Sequence, residues 1–288
     1  MKKSRLKLSL SILAICSLLT QISIPSSAQT GYELAEKMFE AANSVSTMKF
    51  TMKKTERIEG ELKTQVSSVK LSVIPYMVYT KQQVPNRGLE VLYCAGVNNN
   101  KAYINPTSFP WITLKLDPMG SLMRNGQHHT ALNAGYDLVM SILEFIVNKY
   151  GEESKTMISQ LDSVQFGGID CYAIELKNPY FQFIDYKVKE GETLTSIEDS
   201  LKLSGYMILE RNGLDQDYNE IESGMTISIP NDYSPHMIIY LDKSNYLPLM
   251  MKIFDDQGMF ELYEYFDVQV NLKFSKDEFS PDFEEYGF

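Results

Sequence analysis

The chain has 288 residues, with 27 Lys and Arg against 37 Asp and Glu, a formal net charge of −10 and 44 % apolar residues. That length suits one large domain with a small insert, and the apolar share is enough for a sizeable core. The acidic balance argues against nucleic acid, whose phosphates demand a basic surface, and against electrostatic docking on anionic lipid head groups.

Residues 1–28 read as a secretory leader. Lys2, Lys3, Arg5 and Lys7 form a basic start, an apolar run follows over 8–19, and Ser26 and Ala28 supply the small residues of a cleavage site after Ala28. Lipidation of Cys16 is disfavoured, because β-branched Ile15 stands where a lipobox wants a small residue. No other apolar run reaches the roughly 20 residues that span a bilayer. An exported protein with no transmembrane segment in the mature chain is therefore expected. Losing four basic residues with the leader leaves 23 against 37 and a net charge of −14. Two cysteines remain, Cys94 and Cys171, both in strand-like runs without Cys-x-x-Cys spacing. Export permits a disulfide, but buried free thiols are the favoured expectation.

Residues 32–45 put Leu34, Met38, Ala41 and Val45 on one helix face. The period then switches. Met48, Phe50 and Met52 alternate with polar neighbours, as do Val69, Leu71 and Val73 in a strand that Pro75 ends or bends. Further strands are predicted at 76–81, 89–94 and 101–104. From 105 to 134 periodicity disappears, in a run holding Pro106, Pro110, Trp111, Pro118, Gly120, Gly126 and the pair His128–His129. A segment of that length inside a domain is typically functional or mobile; it reads as a lid or as a packed irregular loop. A helix follows over 137–150, opened by Asp137 and closed by Gly151. Strands at 164–166 and 171–176 flank the turn Gly167–Gly168. Near the end, strands at 237–241, 247–254 and 259–266 form an antiparallel meander joined by turn-forming residues. The acidic, aromatic tail 274–288 should pack only in part.

Residues 186–230 interrupt this pattern. Tyr186 and Val188 alternate as a short strand, Gly191 permits a sharp turn, and Glu192 and Thr193 stand at a helix N-terminus with Leu194 and Ile197 on its buried face. Met207, Ile208 and Leu209 mark a second helix, Gly224 a second turn, and Ile227 and Ile229 a strand that Pro230 ends. This β-α-α-β stretch, with its two glycine turns, Asn212 and the terminal Ile229-Pro230, resembles the LysM family over that family's whole length. The resemblance implies binding of a peptidoglycan or related N-acetylglucosamine glycan in a shallow groove. Gly191, Glu192, Thr193 and Leu194 would wall one side; Leu214, Tyr218, Asn219 and Ile221 would wall the other. Glu192 departs from the family's Asp, and Glu198 from its small Ala. The stretch carries four basic against nine acidic residues, which works against glycans whose stems bear carboxylates. A module that packs without its ligand is therefore the alternative.

Residues 29–185 and 231–288 thus read as one discontinuous α+β domain, a curved antiparallel half-barrel sheet wrapped on helices. The runs Ile239-Tyr-Leu-Asp242, Leu247-Pro-Leu249 and Tyr263-Glu-Tyr-Phe-Asp-Val268, with Phe279, are similar to the LolA/LolB-like lipoprotein-carrier fold. Leu89-Glu-Val-Leu-Tyr93 and Leu116-Asp-Pro-Met-Gly-Ser-Leu-Met123 resemble a further bacterial family with that fold. The resemblance implies a hollow that buries alkyl carbons, at about 0.8 kcal/mol per methylene. Met48, Met52, Met250, Met251 and Met259 suit such a pocket, or equally an ordinary core.

Enzyme signatures are weak. His128 and His129 could bind metal, yet adjacent side chains on an extended chain point apart, and His236 is the only other histidine. No metal-ligand spacing accompanies them. Neither a Gly-x-Ser-x-Gly elbow nor a Cys/His nucleophile set occurs, and nothing singles out the two carboxylates of a glycosidase. The expectation is a non-catalytic, cofactor-free protein of the bacterial envelope or periplasm. It would bind peptidoglycan through LysM, and a lipid, lipoprotein or other apolar partner through the half-barrel. A peptidoglycan hydrolase or its accessory is the alternative. A deep apolar hollow favours the first; a polar cleft with facing carboxylates favours the second.

Overall fold

The computed structural model describes residues 29–216, 218, 220–275 and 277–288, so the expected leader lies outside the described residues. Thr30 opens the first helix with a capping box: its hydroxyl accepts from Glu33 N–H, and the Glu33 carboxylate accepts from Thr30 N–H. Helix α1 (Gly31–Asn43) then buries Leu34, Ala35, Met38 and Ala42 on one face. Strands β1 (Thr47–Ile58) and β2 (Glu61–Ser72) make a long hairpin. They turn at Glu59 and Gly60, both at positive φ, as a tight hairpin turn requires.

Antiparallel strands β3 (Met77–Val84), β4 (Glu90–Cys94), β5 (Ala102–Asn105) and β6 (Leu114–Leu116) extend this side of the sheet. The short helix α2 (Ser121–Arg124) precedes α3 (Asp137–Tyr150) and α4 (Ser154–Met157). Strands β7 (Ile158–Phe166) and β8 (Ile169–Lys177) follow. Next come β9 (Phe183–Lys187), α5 (Leu194–Leu201), α6 (Gly205–Asn212) and β10 (Thr226–Pro230). The meander β11 (His236–Asp242), β12 (Pro248–Asp255) and β13 (Gly258–Val270) returns to the large sheet.

That sheet is open, eleven-stranded and antiparallel, in the order β6-β5-β4-β3-β2-β1-β13-β12-β11-β8-β7. Helices α1 and α3 cover one face, packing on Met48, Phe50, Leu71, Ile174, Ile239, Met251 and Tyr265. The expected half-barrel on helices is the architecture found. Strands β9 and β10 pair separately, and α5 and α6 close a second small core of Leu194, Ile197, Ile208, Leu209, Ile227 and Ile229. This is the β-α-α-β arrangement expected of residues 186–230. Asn212 holds it together: its amide donates to Ile208 O and Ser228 O and accepts from Ser228 N–H.

Some elements differ from the sequence reading. Strand β1 runs on to Ile58, past the alternation of Met48, Phe50 and Met52, because its inward charges find buried partners. Residues 105–134 contain β6 and α2 rather than loop alone. The tail packs more than expected: Tyr286 stacks on Tyr79 at 3.7 Å, and Phe279 and Phe288 cover Leu92 and Cys94. The reason is that β3 and β4 present apolar side chains on both faces. Cys94 and Cys171 are buried free thiols.

Candidate functional site

The alternation of β1 puts Met48, Phe50, Met52, Lys54 and Glu56 on the helix-covered face. Antiparallel register aligns the neighbouring strands with it. Phe50 lies in a row with Val69, Thr80, Val91 and Ile104, whereas two rows along, Lys54 stands between Gln65 and Tyr263. Side chains from these rows, together with Met52, Ser67 and Tyr265, wall a cavity of about 360 Å³. Its volume falls within the roughly 300–1,000 Å³ of small-molecule sites. The wall changes from apolar (Val91, Ile104) to polar (Lys54, Gln65) toward the hairpin turn. Leu138 and Val139 of α3 close one end, and Leu122, Met123, Gln127, His129 and Ala131 form the roof. The irregular segment covers the cavity as a lid would. Lys54 Nζ clamps it by donating to Gln127 Oε1 at 2.9 Å and to His129 O at 3.1 Å.

Behind the polar end, Glu56 and Glu261 stand directly opposite each other on β1 and β13, only 2 % and 0 % exposed. Like charges in that position repel, so partners must compensate them. Glu56 is paired with Lys54 at 3.2 Å and accepts from Tyr263 OH at 3.0 Å and His128 N–H at 3.2 Å. Glu261 Oε1 takes His128 Nδ1 at 2.8 Å, His129 Nε2 at 3.2 Å and Tyr233 OH at 3.0 Å. The His128 ring is stacked on Tyr206 and Phe260, with centroids 4.3 and 4.1 Å away.

The two histidines were expected to point apart; they converge on one carboxylate instead. The chain bends at His128 and is not extended there. Burial opposes a charge on His128, but its hydrogen bond to Glu261 and the field of Glu56 outweigh that and raise its pKa. Burial likewise pushes the Glu261 carboxyl up, yet His129 and His128 hold it below the usual carboxylate range. Both His128 ring nitrogens face acceptors, Glu261 Oε1 at 2.8 Å and Arg57 O at 2.9 Å, an arrangement that suits the charged ring and, with Lys54, sets positive groups against the two carboxylates. Among the described residues no group of three His, Cys, Asp or Glu side chains is arranged to hold a metal. The network's task is to fasten the lid to the sheet. Its signal lies in the sequence, since Lys54 and Glu56 are in phase with Met48, Phe50 and Met52, and Glu261 with Tyr263 and Tyr265.

In the small module Gly191 turns at φ +77°. Thr193 caps α5 by accepting from Ser196 N–H at 3.1 Å. Glu192 accepts from Tyr186 OH and Lys189 N–H, both at 2.8 Å, and the Lys189 N–H holds its carboxyl below the usual range. Leu194 is 0 % exposed, at the centre of the module's core. Across from this loop, Leu214 and Ile221 lean half-buried on the same core, and Tyr218 is buried. Asn219 lies outside the described residues. The two loops meet at their bases, where Val188 N–H donates to Met225 O and Gly224 N–H to Val188 O. Gly191, Glu192 and Thr193 therefore offer an accessible edge, while the Leu194 and Tyr218 side chains are enclosed.

The module also packs on the large sheet. Tyr206 and Met207 join Ile58 and Phe260 in a shared apolar cluster. Arg57 bonds both Asp255 and Glu210. Glu198, which departs from the LysM pattern, accepts two 2.8 Å contacts from Arg124 of the lid.

Comparison with known proteins finds two family patterns on the chain. The sequence pattern of the family described as "Protein of unknown function (DUF1571)" matches residues 45–188, and that of the LysM domain matches 186–230. No curated protein matches the chain. Among solved structures the chain is similar to a DUF1329 family protein from Desulfovibrio piger, at TM-score 0.35 and 9 % identity, covering 86 % of this chain and 95 % of that one. It is similar to a LolA superfamily protein from Nitrosomonas europaea, at 0.29 and 10 %, covering 87 % and 97 %. It is also similar to the lipoprotein LppX of Mycobacterium tuberculosis, at 0.39 and 8 %, covering 84 % and 98 %. At these TM-scores the functional reading rests on this chain's own geometry.

Proposed function

The chain belongs to the DUF1571 family and carries a LysM domain, and from that premise we propose that it is an exported, non-catalytic binding protein of the bacterial envelope. The LysM domain, inserted in a discontinuous half-barrel domain, attaches the protein to peptidoglycan. Its glycan edge is the set Gly191, Glu192, Thr193, Leu194, Leu214, Tyr218, Asn219 and Ile221, with Leu194 and Tyr218 acting as the buried backing of the walls. The half-barrel takes the alkyl part of a lipid, a lipoprotein or another apolar partner.

The observation that carries this reading is the cavity under the lid. Among the described residues none of its lining side chains is a carboxylate. That sets it apart from the usual glycosidase cleft with its two facing carboxylates. The lining is graded, apolar around Val91, Ile104 and Val139 and polar around Lys54, Gln65 and Gln127, which suits an amphiphile with its tail toward α3. Each methylene buried contributes about 0.8 kcal/mol, so an alkyl chain of about eight carbons gains roughly 6 kcal/mol before the cost of association.

The test uses 11-(dansylamino)undecanoic acid as cavity probe and purified sacculi as glycan. The mature protein is expected to enhance and blue-shift the probe's emission saturably, with displacement by unlabelled fatty acid, and to sediment with sacculi. No saturable probe binding would remove the cavity reading; no co-sedimentation would remove the glycan reading.

A further inference from the structure

The lid serves both parts of the molecule. Leu122, Met123, Gln127 and His129 roof the cavity, while Arg124 and Gly126, interleaved with them, face the module. Arg124 is only 4 % exposed. Its Nη1 donates to Thr195 Oγ1 at 2.8 Å, and its Nη2 to both Glu198 oxygens at 2.8 Å. Its guanidinium carbon lies 3.2 Å from the centroid of the Tyr218 ring. Gly126 N–H donates to Gln216 Oε1 at 2.9 Å. Thr195 directly follows the first wall of the glycan edge, Tyr218 belongs to the second, and Gln216 lies between Leu214 and Tyr218. One host arginine therefore spans from α5, just past the first wall, to Tyr218 of the second.

The module makes room for it. A Cβ at Gly205 would overlap the Glu198 carboxylate and stand 3.0 Å from Arg124 Nη2. A glycine at the start of α6 is thus what lets the ion pair sit where it does. On this side the lid otherwise rests on the stacking of His128 on Tyr206; α2 is a four-residue helix without a side-chain cap, and its Leu122 is 77 % exposed. A buried ion pair adds little net stability compared with apolar packing of the same volume. Segments held by few apolar contacts are the ones that open at low cost.

We propose that Arg124 is a latch that closes the glycan edge of the module and the roof of the cavity together. An N-acetylglucosamine oligosaccharide that enters between the walls displaces Arg124, which frees the lid and opens the cavity to exchange. The proposal rests on the glycan reading of the LysM domain above. Because coupling between two sites is reciprocal, whatever the latch takes from glycan binding reappears as a glycan-dependent opening of the cavity.

The experiment compares the mature wild-type chain with Arg124→Met and Gly205→Ala. The second variant keeps every charge and dislodges the ion pair only by crowding Glu198. Calorimetry with N-acetylglucosamine hexamer reads glycan affinity, and stopped-flow uptake of 11-(dansylamino)undecanoic acid reads lid opening. Both variants are expected to bind the hexamer about tenfold more tightly than wild type, within the roughly 5–150-fold span of coupled sites. The hexamer should speed probe uptake by wild type, and leave unchanged the already fast uptake of the variants. Equal hexamer affinity in all three proteins, with native circular dichroism, overturns the latch and leaves the glycan reading standing. Absence of hexamer and sacculus binding in all three removes that reading, and the latch with it.

Discussion

Replacing Glu261 with Gln asks whether buried charge, rather than apolar burial, fastens the lid to the sheet. In the native protein Glu261 accepts from His128 at 2.8 Å, His129 at 3.2 Å and Tyr233 at 3.0 Å. Hydrogen bonds to a charged group contribute about 1.5–3 kcal/mol net, against about 0.5–1.5 for neutral pairs. Neutralising the acceptor therefore costs about 1 kcal/mol per bond, or about 3 kcal/mol in all. That meets the lower edge of the roughly 3–5 kcal/mol lost when a buried ion pair is broken.

The pH dependence has a definite sign. The folded pKa of His128 is raised, so its contribution is complete below its unfolded value near 6.5 and is lost as pH rises through the folded value. The Glu261 carboxyl is held low, so its contribution is present above its unfolded value near 4.5 and is lost as pH falls through the folded value. These two groups therefore support the wild type most strongly between about 4.5 and 6.5, with a decline on the alkaline side. Glu261→Gln removes the main support of a protonated His128 and flattens that decline. Urea unfolding followed by circular dichroism should show a loss of about 3 kcal/mol at pH 5.5 and a clearly smaller one at pH 8.5. A loss below about 1 kcal/mol at pH 5.5, or the same loss at both pH values, would refute the charge-network account.

Two further substitutions probe the end of the lid and the hollow. Gly135 sits at φ +96°, its carbonyl accepts from Tyr265 OH at 3.0 Å, and a Cβ there would overlap Leu71; Gly135→Ala should cost about 1–3 kcal/mol in urea unfolding, and an unchanged midpoint would show that the lid's end is free to move. Ser67→Phe projects a ring into the cavity from a half-buried wall position; it should abolish saturable binding of the dansyl fatty acid while leaving co-sedimentation with sacculi intact, and unaltered probe binding would place the ligand elsewhere.

Much of the architecture was legible because burial follows period. The inward alternation of Met48, Phe50 and Met52, the meander of β11 to β13 and the helix Asp137–Tyr150 each bury what their pattern says they should. The glycine turns and Asn212 fixed the small module because each answers a local backbone demand. The charge network was harder to see. An alternation that passes from methionine to Lys54 and Glu56 reads as a strand leaving the core, unless partners far along the chain are known. Those partners, Gln127 for Lys54 and His128 and Tyr263 for Glu56, lie 72 or more residues away. The role of Arg124 was hidden for the same reason, since nothing local marks an arginine in an aperiodic segment. Glu198 was the one visible hint: it broke the family's pattern at the position where the arginine lands.

The place of the insertion decides which part of the molecule yields. The module leaves the sheet after β8 and re-enters at β11, two strands that are themselves paired, with Lys177 opposite His236. Its two stems are bound to each other, as Asn178 N–H donates to Pro235 O at 2.8 Å. Buried Asp232 then gathers Lys149 at 2.8 Å, Tyr150 OH at 2.6 Å and Asn178 at 2.9 Å, which ties the stems to α3. At the far side Arg57 locks Glu210 of α6 to Asp255 of β12. The lid, by contrast, is joined to the module through Arg124 and Gly126 alone among the described polar contacts. A force applied at the glycan edge therefore meets a module anchored at both ends, whose polar hold on the lid is Arg124 and the Gly126 amide. On the latch proposal this is the contact that yields, and the cavity beneath the lid is the part of the protein that responds.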